Sequence, residues 1–345
     1  MECNVVFAGD RDGWLKARAE DAASISGSEA AAVLGVSPFA SEWDVWRQKR
    51  GEAPAFSGNE ATRRGSRWEG VVLEEYADAA DAKVVTPGAL VGRSSATHVL
   101  LAHREHAWLR QSPDAFAERN GELGQVEAKT ARRGGDWSPE PGVVIERWDD
   151  SFAALIPSHI AVQAYVQLEV TGLPWNDVCA LVPTGGWLGV RWVRVMRDAE
   201  TQAALVERLG AWRERHLVAG EEPAVDGSDA CTAHLASRFP RDEKLVRGAT
   251  DDEAAMMREL HACRASKDAA EERAKALCNE LIASAAGAKL TFPGGAKAPY
   301  GQPQKCGGGA RIDADALRSQ FPDVAAAVTR QTAPSMTFRT YRMEG

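Results

Sequence analysis

The sequence contains Ser112-Pro-Asp114, followed after twelve residues by Glu127-Ala-Lys129. Side chains alternate along a strand, so Glu127 and Lys129 are predicted to share one face while their neighbours turn toward the core. If a hairpin brings Asp114 beside Glu127, two hard oxygen ligands converge, which suits Mg²⁺. Lys129 could then position an attacking water or stabilise charge on a phosphate. The same spacing also fits a Pro-Asp turn and a solvent-facing strand without a catalytic role.

The segments around this stretch alternate between helical and strand-like patterns. A capping box at Ser26 and Glu29 predicts the start of a short helix that ends at Gly35. Apolar spacing predicts longer helices over 62–80 and over 158–170, the latter ending at Gly172. Strands are predicted at 99–102, 107–111 and 125–131, a β-hairpin from 178–182 and 189–195, and then an amphipathic helix through Leu205, Leu209 and Trp212.

Composition changes near residue 220 and predicts three regions. Residues 1–219 are expected to form the catalytic domain and 220–250 a linker, because Gly, Pro, Glu and Asp dominate at its start. Residues 251–345 are expected to form a mainly helical, coiled module with a short β tail. Within that module the pattern predicts a long helix or helical hairpin over 251–286, a flexible or hairpin segment over 287–309, a short helix over 313–321 and a strand over 336–342.

The composition excludes several classes of protein. Of 345 residues, 44% are hydrophobic and 26% are charged, which is ordinary for a globular chain. No apolar run approaches roughly 18 residues, and no basic and apolar leader opens the chain, so we expect a cytoplasmic protein, in the host cytoplasm if a phage encodes it. The six scattered cysteines lack zinc, iron-sulfur and disulfide patterns, so we expect free thiols, mostly packed as small apolar groups.

The net charge of −8 excludes a generally basic coating but not local patches. Three basic clusters flank the candidate site and predict a positive groove for DNA. Trp43, Trp46 and Trp68 are expected to lie mostly in the core, and an exposed aromatic wedge that splits a terminal base pair is the alternative. The basic clusters are Arg47, Lys49 and Arg50, then Arg63, Arg64 and Arg67, and finally Arg132 and Arg133.

Six motifs between residues 13 and 217 resemble, in chain order, those of the lambda-exonuclease or YqaJ-like viral recombinase family. Pro113-Asp114 with Glu127-Ala-Lys129 matches the PD-(D/E)xK signature of that nuclease superfamily letter for letter. The resemblance implies an α/β, restriction-endonuclease-like core with a mixed β-sheet flanked by helices, plus a mainly helical C-terminal extension. The motifs are Trp14 with Arg18, Ile25–Glu29, Gly65–Glu69, Ser112–Asp114, Glu127–Lys129, and Gln163 with Val170–Gly172.

The resemblance also implies three sets of site residues: metal ligands, catalytic residues and DNA-phosphate contacts. For the third set, a capped helix N-terminus over 26–29 offers N–H groups and partial positive charge to a 5′-terminal phosphate, which a nearby guanidinium would strengthen. The metal ligands are Asp114, Glu127 and the backbone carbonyl of Ala128; the catalytic residues are Lys129, Gln163 and Glu69; the phosphate contacts are Arg18, Ser28 and Ser112.

The function implied by the resemblance is Mg²⁺-dependent hydrolysis of linear double-stranded DNA from its 5′ end, leaving a 3′ overhang for phage-type recombination. Mn²⁺ is expected to substitute for Mg²⁺. The implied partners are double-stranded DNA ends, a single-strand DNA annealing protein, and further copies of the chain in a ring, often a trimer.

Two alternatives stay open. The first is a structure- or sequence-specific DNA endonuclease, which would not need the Arg18 and Ser28 pocket. The second is a non-catalytic DNA-binding recombination scaffold in which residues 221–345 carry the function. The intact Asp114, Glu127 and Lys129 argue against that scaffold, because losing any one of them would be the simplest route to inactivity.

Overall fold

The computed structural model describes most of the first 286 residues. The described ranges are 1–53, 58–131, 137–138, 140–148, 155–184, 187–240 and 246–286, followed by short pieces at 288, 290–291, 300–301, 318–320, 322–323 and 326. The chain divides into two compact units, Met1–Thr232 and Ala233–Gly345. The site described below lies in the first unit.

Strands and helices alternate through the first unit. The strands are β1 (Cys3–Gly9), β2 (Ile25–Ser26), β3 (Lys83–Val85), β4 (His98–His103), β5 (Leu109–Gln111), β6 (Ala115–Arg119), β7 (Glu122–Thr130), β8 (Val143–Ile145), β9 (Trp175–Thr184) and β10 (Trp187–Met196). The helices are α1 (Arg11–Ala19), α2 (Gly27–Val33), α3 (Glu42–Lys49), α4 (Glu60–Ala80), α5 (Pro87–Leu90), α6 (Ser158–Thr171) and α7 (Ala199–Trp212), which continues into a π-helical segment, Arg213–Val218.

Helices also dominate the described part of the remaining chain. The elements are α8 (Asp229–Arg238), α9 (Asp251–Ala285), and a short strand pair, β11 (Leu290–Thr291) with β12 (Tyr300–Gly301). No helix among the described residues is long and apolar enough to cross a membrane.

A six-stranded mixed sheet forms the centre of the first unit, in the order β3-β6-β7-β9-β10-β8. β7 pairs with β9 in parallel, and β10 with β8, whereas the other neighbours are antiparallel. A parallel pair needs a long crossover, and α6 lies in the one that joins β7 to β9. The predicted α/β class, with a mixed sheet flanked by helices and a mainly helical C-terminal region, is confirmed.

The β6–β7 hairpin is the one on which the approach of Asp114 to Glu127 was conditional, and its turn is readable in the sequence. Asn120 and Gly121 both have positive φ, 53° and 80°, and join the paired residues Arg119 and Glu122. Asn-Gly is the dipeptide that favours such two-residue hairpin turns. The hairpin places Asp114, which directly precedes β6, beside the far end of β7.

The two faces of β7 meet different helices. Val126 is fully buried with Val72 and Tyr76 of α4, and Ala128 packs against the same cluster. Burying an aliphatic or aromatic side chain stabilises the fold by roughly 1.5–3 kcal/mol. The alternate residues of β7 therefore point away from α4, toward α6.

The smaller sheet has the order β1-β4-β5-β2 and orients the N-terminal helices. β2 pairs with β5 in parallel, with Ile25 opposite Leu109 and Ser26 opposite Arg110. Because α2 starts directly after β2, this pairing brings the start of α2 beside the chain that leads to Ser112.

Several predicted boundaries agree with the structure. The long helices fall at α4 and α6, with Gly172 ending α6 at φ 69°, and β9 and β10 form the predicted hairpin, whose residues 185–186 lie outside the described ranges. α9 is one 35-residue helix and not a hairpin. The predicted linker contains α8. The expectations for 287–309, 313–321 and 336–342 lie almost wholly outside the described residues.

The described cysteines are free thiols, as predicted. Cys179 and Cys231 are buried, which fits the expected packing. Cys263 and Cys278 lie exposed on α9, so the expectation of burial is wrong for them, because α9 has almost no buried positions. Cys306 lies outside the described residues.

Candidate active site

Asp114 and the Glu127–Lys129 segment meet at one end of the large sheet. The backbone N–H of Ala128 donates to Asp114 Oδ2 at 2.9 Å. This bond fixes the Asp114 carboxylate against β7. Whether the Ala128 carbonyl serves as a metal ligand stays a prediction.

Glu127 is the most constrained acidic group of the site. Its side chain is only 2% exposed, and both of its oxygens accept hydrogen bonds. Lys129 Nζ and Gln163 Nε2 donate to Oε1, the latter at 2.6 Å, and Gln167 Nε2 donates to Oε2 at 2.6 Å. The family resemblance implies a catalytic role for Gln163, and in the structure its amide donates to Glu127.

Gln167 was not singled out from the sequence. It is buried, and its Oε1 accepts a hydrogen bond of 2.7 Å from Asn176 Nδ2 on β9. Its backbone carbonyl also accepts from Gln111, which forms a reciprocal amide pair with Gln125. The available signal was the four-residue spacing from Gln163, which puts both amides on one face of α6.

Charge crowding links Glu69 to this group. Burial and then the Glu127 carboxylate raise the pKa of Glu69. The same two causes raise the pKa of Asp114 well above its usual value, with Glu69 adding to the effect. Burial would lower the pKa of Lys129, but Glu127 and then Asp114 outweigh it and raise that pKa. We call Glu69, Asp114, Glu127 and Lys129 the carboxylate cluster.

The donors of the carboxylate cluster fit a hard divalent cation. Three carboxylates facing one ammonium repel one another, and a bound cation would relieve that repulsion. Across the described ranges, no group of three or more His, Cys, Asp and Glu side chains is arranged to hold a metal ion. The set therefore needs further oxygen ligands from backbone, water or phosphate, and Mg²⁺ accepts such mixed ligation.

A second group of contacts connects Ser112 to the start of α2. Trp14 Nε1 donates to Ser112 Oγ at 2.7 Å, and the Arg18 guanidinium lies over the Trp14 ring, 4.8 Å from its centroid. Arg18 Nη2 makes a long contact of 3.5 Å to Ser26 Oγ, which lies 3.1 Å from Ser28 Oγ. We call these five residues the serine-arginine cluster. It joins all three predicted phosphate contacts.

The start of α2 differs from the expected anion site. Glu29 Oε2 accepts from both the N–H and the hydroxyl of Ser26, at 2.8 Å each, so a carboxylate already occupies this end of a seven-residue helix. Burial opposes ionisation, but Lys49, the Ser26 N–H and Arg18 outweigh it and lower the pKa of Glu29. An anion would therefore have to be held by Arg18 and the hydroxyls rather than by the helix terminus.

The two clusters are parts of one site. Ser112 lies two residues before Asp114 in the chain. Gly27 of α2 packs against α6, where an added Cβ would lie 3.5 Å from Gln163 Cγ. The start of α2 therefore adjoins the part of α6 that carries the amide holding Glu127.

The predicted basic clusters are used in different ways. Arg47 donates to backbone carbonyls, Lys49 pairs with Glu29, and Arg50 pairs with Glu52. The side chains of this cluster therefore make contacts within the protein. On α4, Arg64 pairs with Glu60, whereas Arg63 and Arg67 are exposed on the helix that carries Glu69. Arg132 and Arg133 lie outside the described residues.

The three tryptophans that were considered as a DNA wedge differ in their exposure. Trp43 and Trp46 are buried and pack edge to face, as expected for core residues. Trp68 is 39% exposed, so the expectation of a core position is wrong for it: it lies on α4 one helical turn before Val72, where the buried positions of that helix begin.

Comparison with known proteins finds similarity to a family model, to a curated protein and to solved structures. Residues 13–174 match the YqaJ-like viral recombinase domain. The uncharacterized protein YqaJ of Bacillus subtilis (strain 168) is 28% identical over 327 residues, 93% of this chain and 92% of that protein. Crystal structures of an alkaline exonuclease from Laribacter hongkongensis and of its complex with dAMP are 16% identical, covering 59% of this chain and 90% of theirs, with TM-scores of 0.38 and 0.39.

The matched range contains both clusters. It begins one residue before Trp14 and ends beyond Gln167, so the site geometry and the domain coincide along the chain. The similarity to the YqaJ-like viral recombinase domain therefore covers both clusters.

Proposed function

We propose that this protein is a Mg²⁺-dependent exonuclease that degrades linear double-stranded DNA in the 5′-to-3′ direction. The product would be a 3′ single-stranded overhang that serves recombination by strand annealing. The observation that carries the proposal is the junction of the carboxylate cluster with the serine-arginine cluster, since one suits phosphodiester hydrolysis and the other suits a terminal phosphate.

Asp114 and Glu127 would hold the metal, with Glu69 at its edge, and Mn²⁺ should substitute for Mg²⁺. When bound, the cation supplies Lewis-acid activation of water and neutralises charge on the phosphate. The protein's own part is to keep these carboxylates in place. The amides of Gln163 and Gln167 fix both oxygens of Glu127, and the Ala128 N–H fixes Asp114.

Lys129 supplies the cationic charge on the same face of β7. Its raised pKa keeps the amine protonated at neutral pH. A protonated amine can orient the attacking water and stabilise negative charge that develops on the phosphate oxygens. The ammonium pairs with the buried Glu127 carboxylate, and the Lys129 side chain is 28% exposed.

The serine-arginine cluster would bind the 5′-terminal phosphate. Arg18 offers a planar guanidinium that suits phosphate, and the hydroxyls of Ser28 and Ser112 add donors. Stacking on Trp14 holds the guanidinium in one plane before a ligand arrives. A pocket for a chain end favours an exonuclease over an endonuclease, which has no terminal phosphate to bind.

The partners follow from the same proposal. The exposed 3′ strand would be bound by a single-strand DNA annealing protein. We also propose that copies of the chain assemble as a ring, a trimer being the form that the family resemblance implies, so that DNA stays enclosed during successive cleavages.

The test is digestion of a linear duplex labelled separately at the 5′ and 3′ ends of one strand. We expect early release of the 5′ label, retention of the 3′ label on shortened strands, loss of cleavage in EDTA and recovery with Mg²⁺. Early release of the 3′ label, or full cleavage in EDTA, would contradict the proposed polarity or the proposed metal.

A further inference from the structure

Phe39 is an exposed aromatic side chain in the loop between α2 and α3. It is 83% exposed, whereas the aromatic residues of the neighbouring α3, Trp43 and Trp46, are buried. Single exposed apolar residues are common on protein surfaces, so exposure alone says little. Its position relative to the carboxylate cluster is what distinguishes it.

The Phe39 ring contacts His159 edge to face, with ring centroids 5.3 Å apart. His159 lies in the first turn of α6, four residues before Gln163, so the two side chains share one face about 6 Å apart along the helix axis. Burial and then the Lys129 ammonium lower the pKa of His159. His159 therefore lies one helical turn from the amide that holds Glu127, in edge-to-face contact with Phe39.

The loop that carries Phe39 is anchored at both ends. The N–H groups of Val36 and Ser37 both donate to Ala31 O, at 2.9 and 3.1 Å, and the Phe39 N–H donates to Ser37 Oγ at 3.2 Å. Beyond Phe39, Ser41 caps α3. The exposed ring is thus presented by a fixed backbone and loses little conformational freedom when it binds a partner.

We propose that Phe39, backed by His159, is a stacking platform for a nucleobase next to the phosphodiester that is hydrolysed. Each nucleobase offers a flat π-face, so an aromatic ring binds it whatever its sequence. A processive exonuclease needs contacts of that kind, because every nucleotide passes through the site. The inference rests on the proposed nuclease function and adds a binding residue that the six sequence motifs do not contain.

The test compares wild type, Phe39→Ala and Phe39→Trp under single-turnover conditions on two 5′-phosphorylated duplexes. One duplex is natural, and the other lacks the base at its first two 5′ nucleotides. Phe239→Ala is the matched control, since it also removes an exposed phenylalanine, 58% exposed, outside the YqaJ-like domain.

We expect Phe39→Ala to cut natural DNA about tenfold more slowly than wild type, because one base stack is lost. On the abasic duplex the rate of wild type should fall by the same factor, whereas the rate of Phe39→Ala should not fall further. Phe39→Trp and Phe239→Ala should cut both duplexes at the wild-type rates. Equal rates for Phe39→Ala and wild type on natural DNA, or an equal loss for both on abasic DNA, would overturn the platform while the nuclease stands. No digestion by wild type would overturn the proposed function itself.

Discussion

The carboxylate cluster and the serine-arginine cluster adjoin but are built differently. Glu127 is buried and held by three donors, and Asp114 is tied to the backbone of β7. In the other cluster Ser28 is exposed, and the Arg18 contact to Ser26 is long, at 3.5 Å. Groups that act on developing charge work best when fixed beforehand, whereas groups that receive a ligand need unsatisfied donors. The more rigid carboxylate cluster therefore suits hydrolysis, and the less constrained serine-arginine cluster suits recognition of a DNA end.

The largest effect is expected from Lys129→Ala. Removing the ammonium should slow DNA hydrolysis about a thousandfold, because negative charge that develops on the phosphate loses a cation held in place by the protein. DNA binding measured in Ca²⁺ should be retained. Lys83→Ala is the control, since Lys83 pairs with Glu118 in an exposed ion pair on the same sheet and should keep full activity. A fully active Lys129→Ala enzyme would contradict the proposed role of the carboxylate cluster in hydrolysis.

Gln167→Leu tests whether buried amides make the carboxylate cluster rigid. Loss of the donor to Glu127 Oε2 should raise the Mg²⁺ concentration for half-maximal rate about 10- to 100-fold, as for other residues that orient metal ligands. Gln202→Leu removes another buried glutamine, on α7, and should leave the Mg²⁺ dependence unchanged. An unchanged Mg²⁺ dependence in a folded Gln167→Leu protein would show that Glu127 is oriented by other contacts.

Arg18→Ala tests the recognition side of the comparison. The variant should digest 5′-phosphorylated ends about tenfold more slowly, because a charge-assisted hydrogen bond is lost, and 5′-hydroxyl ends at the wild-type rate. Arg11→Ala, an exposed arginine on the same helix, provides the control. Equal slowing on both kinds of end would assign Arg18 to the fold and not to a phosphate pocket.

The smallest effect is expected from Glu29→Gln and concerns stability. The folded pKa of Glu29 lies below its unfolded value, so its contribution is present above the unfolded pKa and is lost as pH falls through the folded pKa. The variant should be about 1 kcal/mol less stable than wild type at pH 7, and this gap should close in acid. Urea unfolding of the variant and of wild type, at pH 7 and in acid, measures this difference in the free energy of unfolding. Glu60→Gln, in an exposed pair with Arg64, should change stability by less than about 0.5 kcal/mol.

Sequence patterns predicted the parts of the site that depend on local order. The alternation along β7 placed Glu127 and Lys129 on one face, and the glycine at 172 ended α6 as expected. The meeting of Asp114 with β7 was conditional on a hairpin, whose Asn120-Gly121 turn was in the sequence and went unused.

Other features depend on tertiary packing and could not be read from spacing. Hydrogen bonds connect Glu127 to Gln167 of α6 and Gln167 to Asn176 of β9. No local sequence feature marks Gln167 as the partner of Glu127. The start of α2 was expected to be open to an anion, but Glu29 occupies it. The capping box already indicated the contact of Glu29 with Ser26, whereas the ion pair of Glu29 with Lys49 of α3 depends on the fold. Such contacts are set by distant residues that only the fold brings together.

The most direct test of the central claim, that one site joins hydrolysis to the recognition of a DNA end, compares three DNAs of one sequence in Mg²⁺. These are a linear duplex with 5′ phosphates, the same duplex with 5′ hydroxyls, and a covalently closed circle, each digested in a single turnover. If one site does both, the phosphorylated duplex is digested fastest, the hydroxyl duplex is digested more slowly, and the circle stays intact. Cleavage of the circle at the rate of the linear duplexes would contradict this claim and would favour an endonuclease.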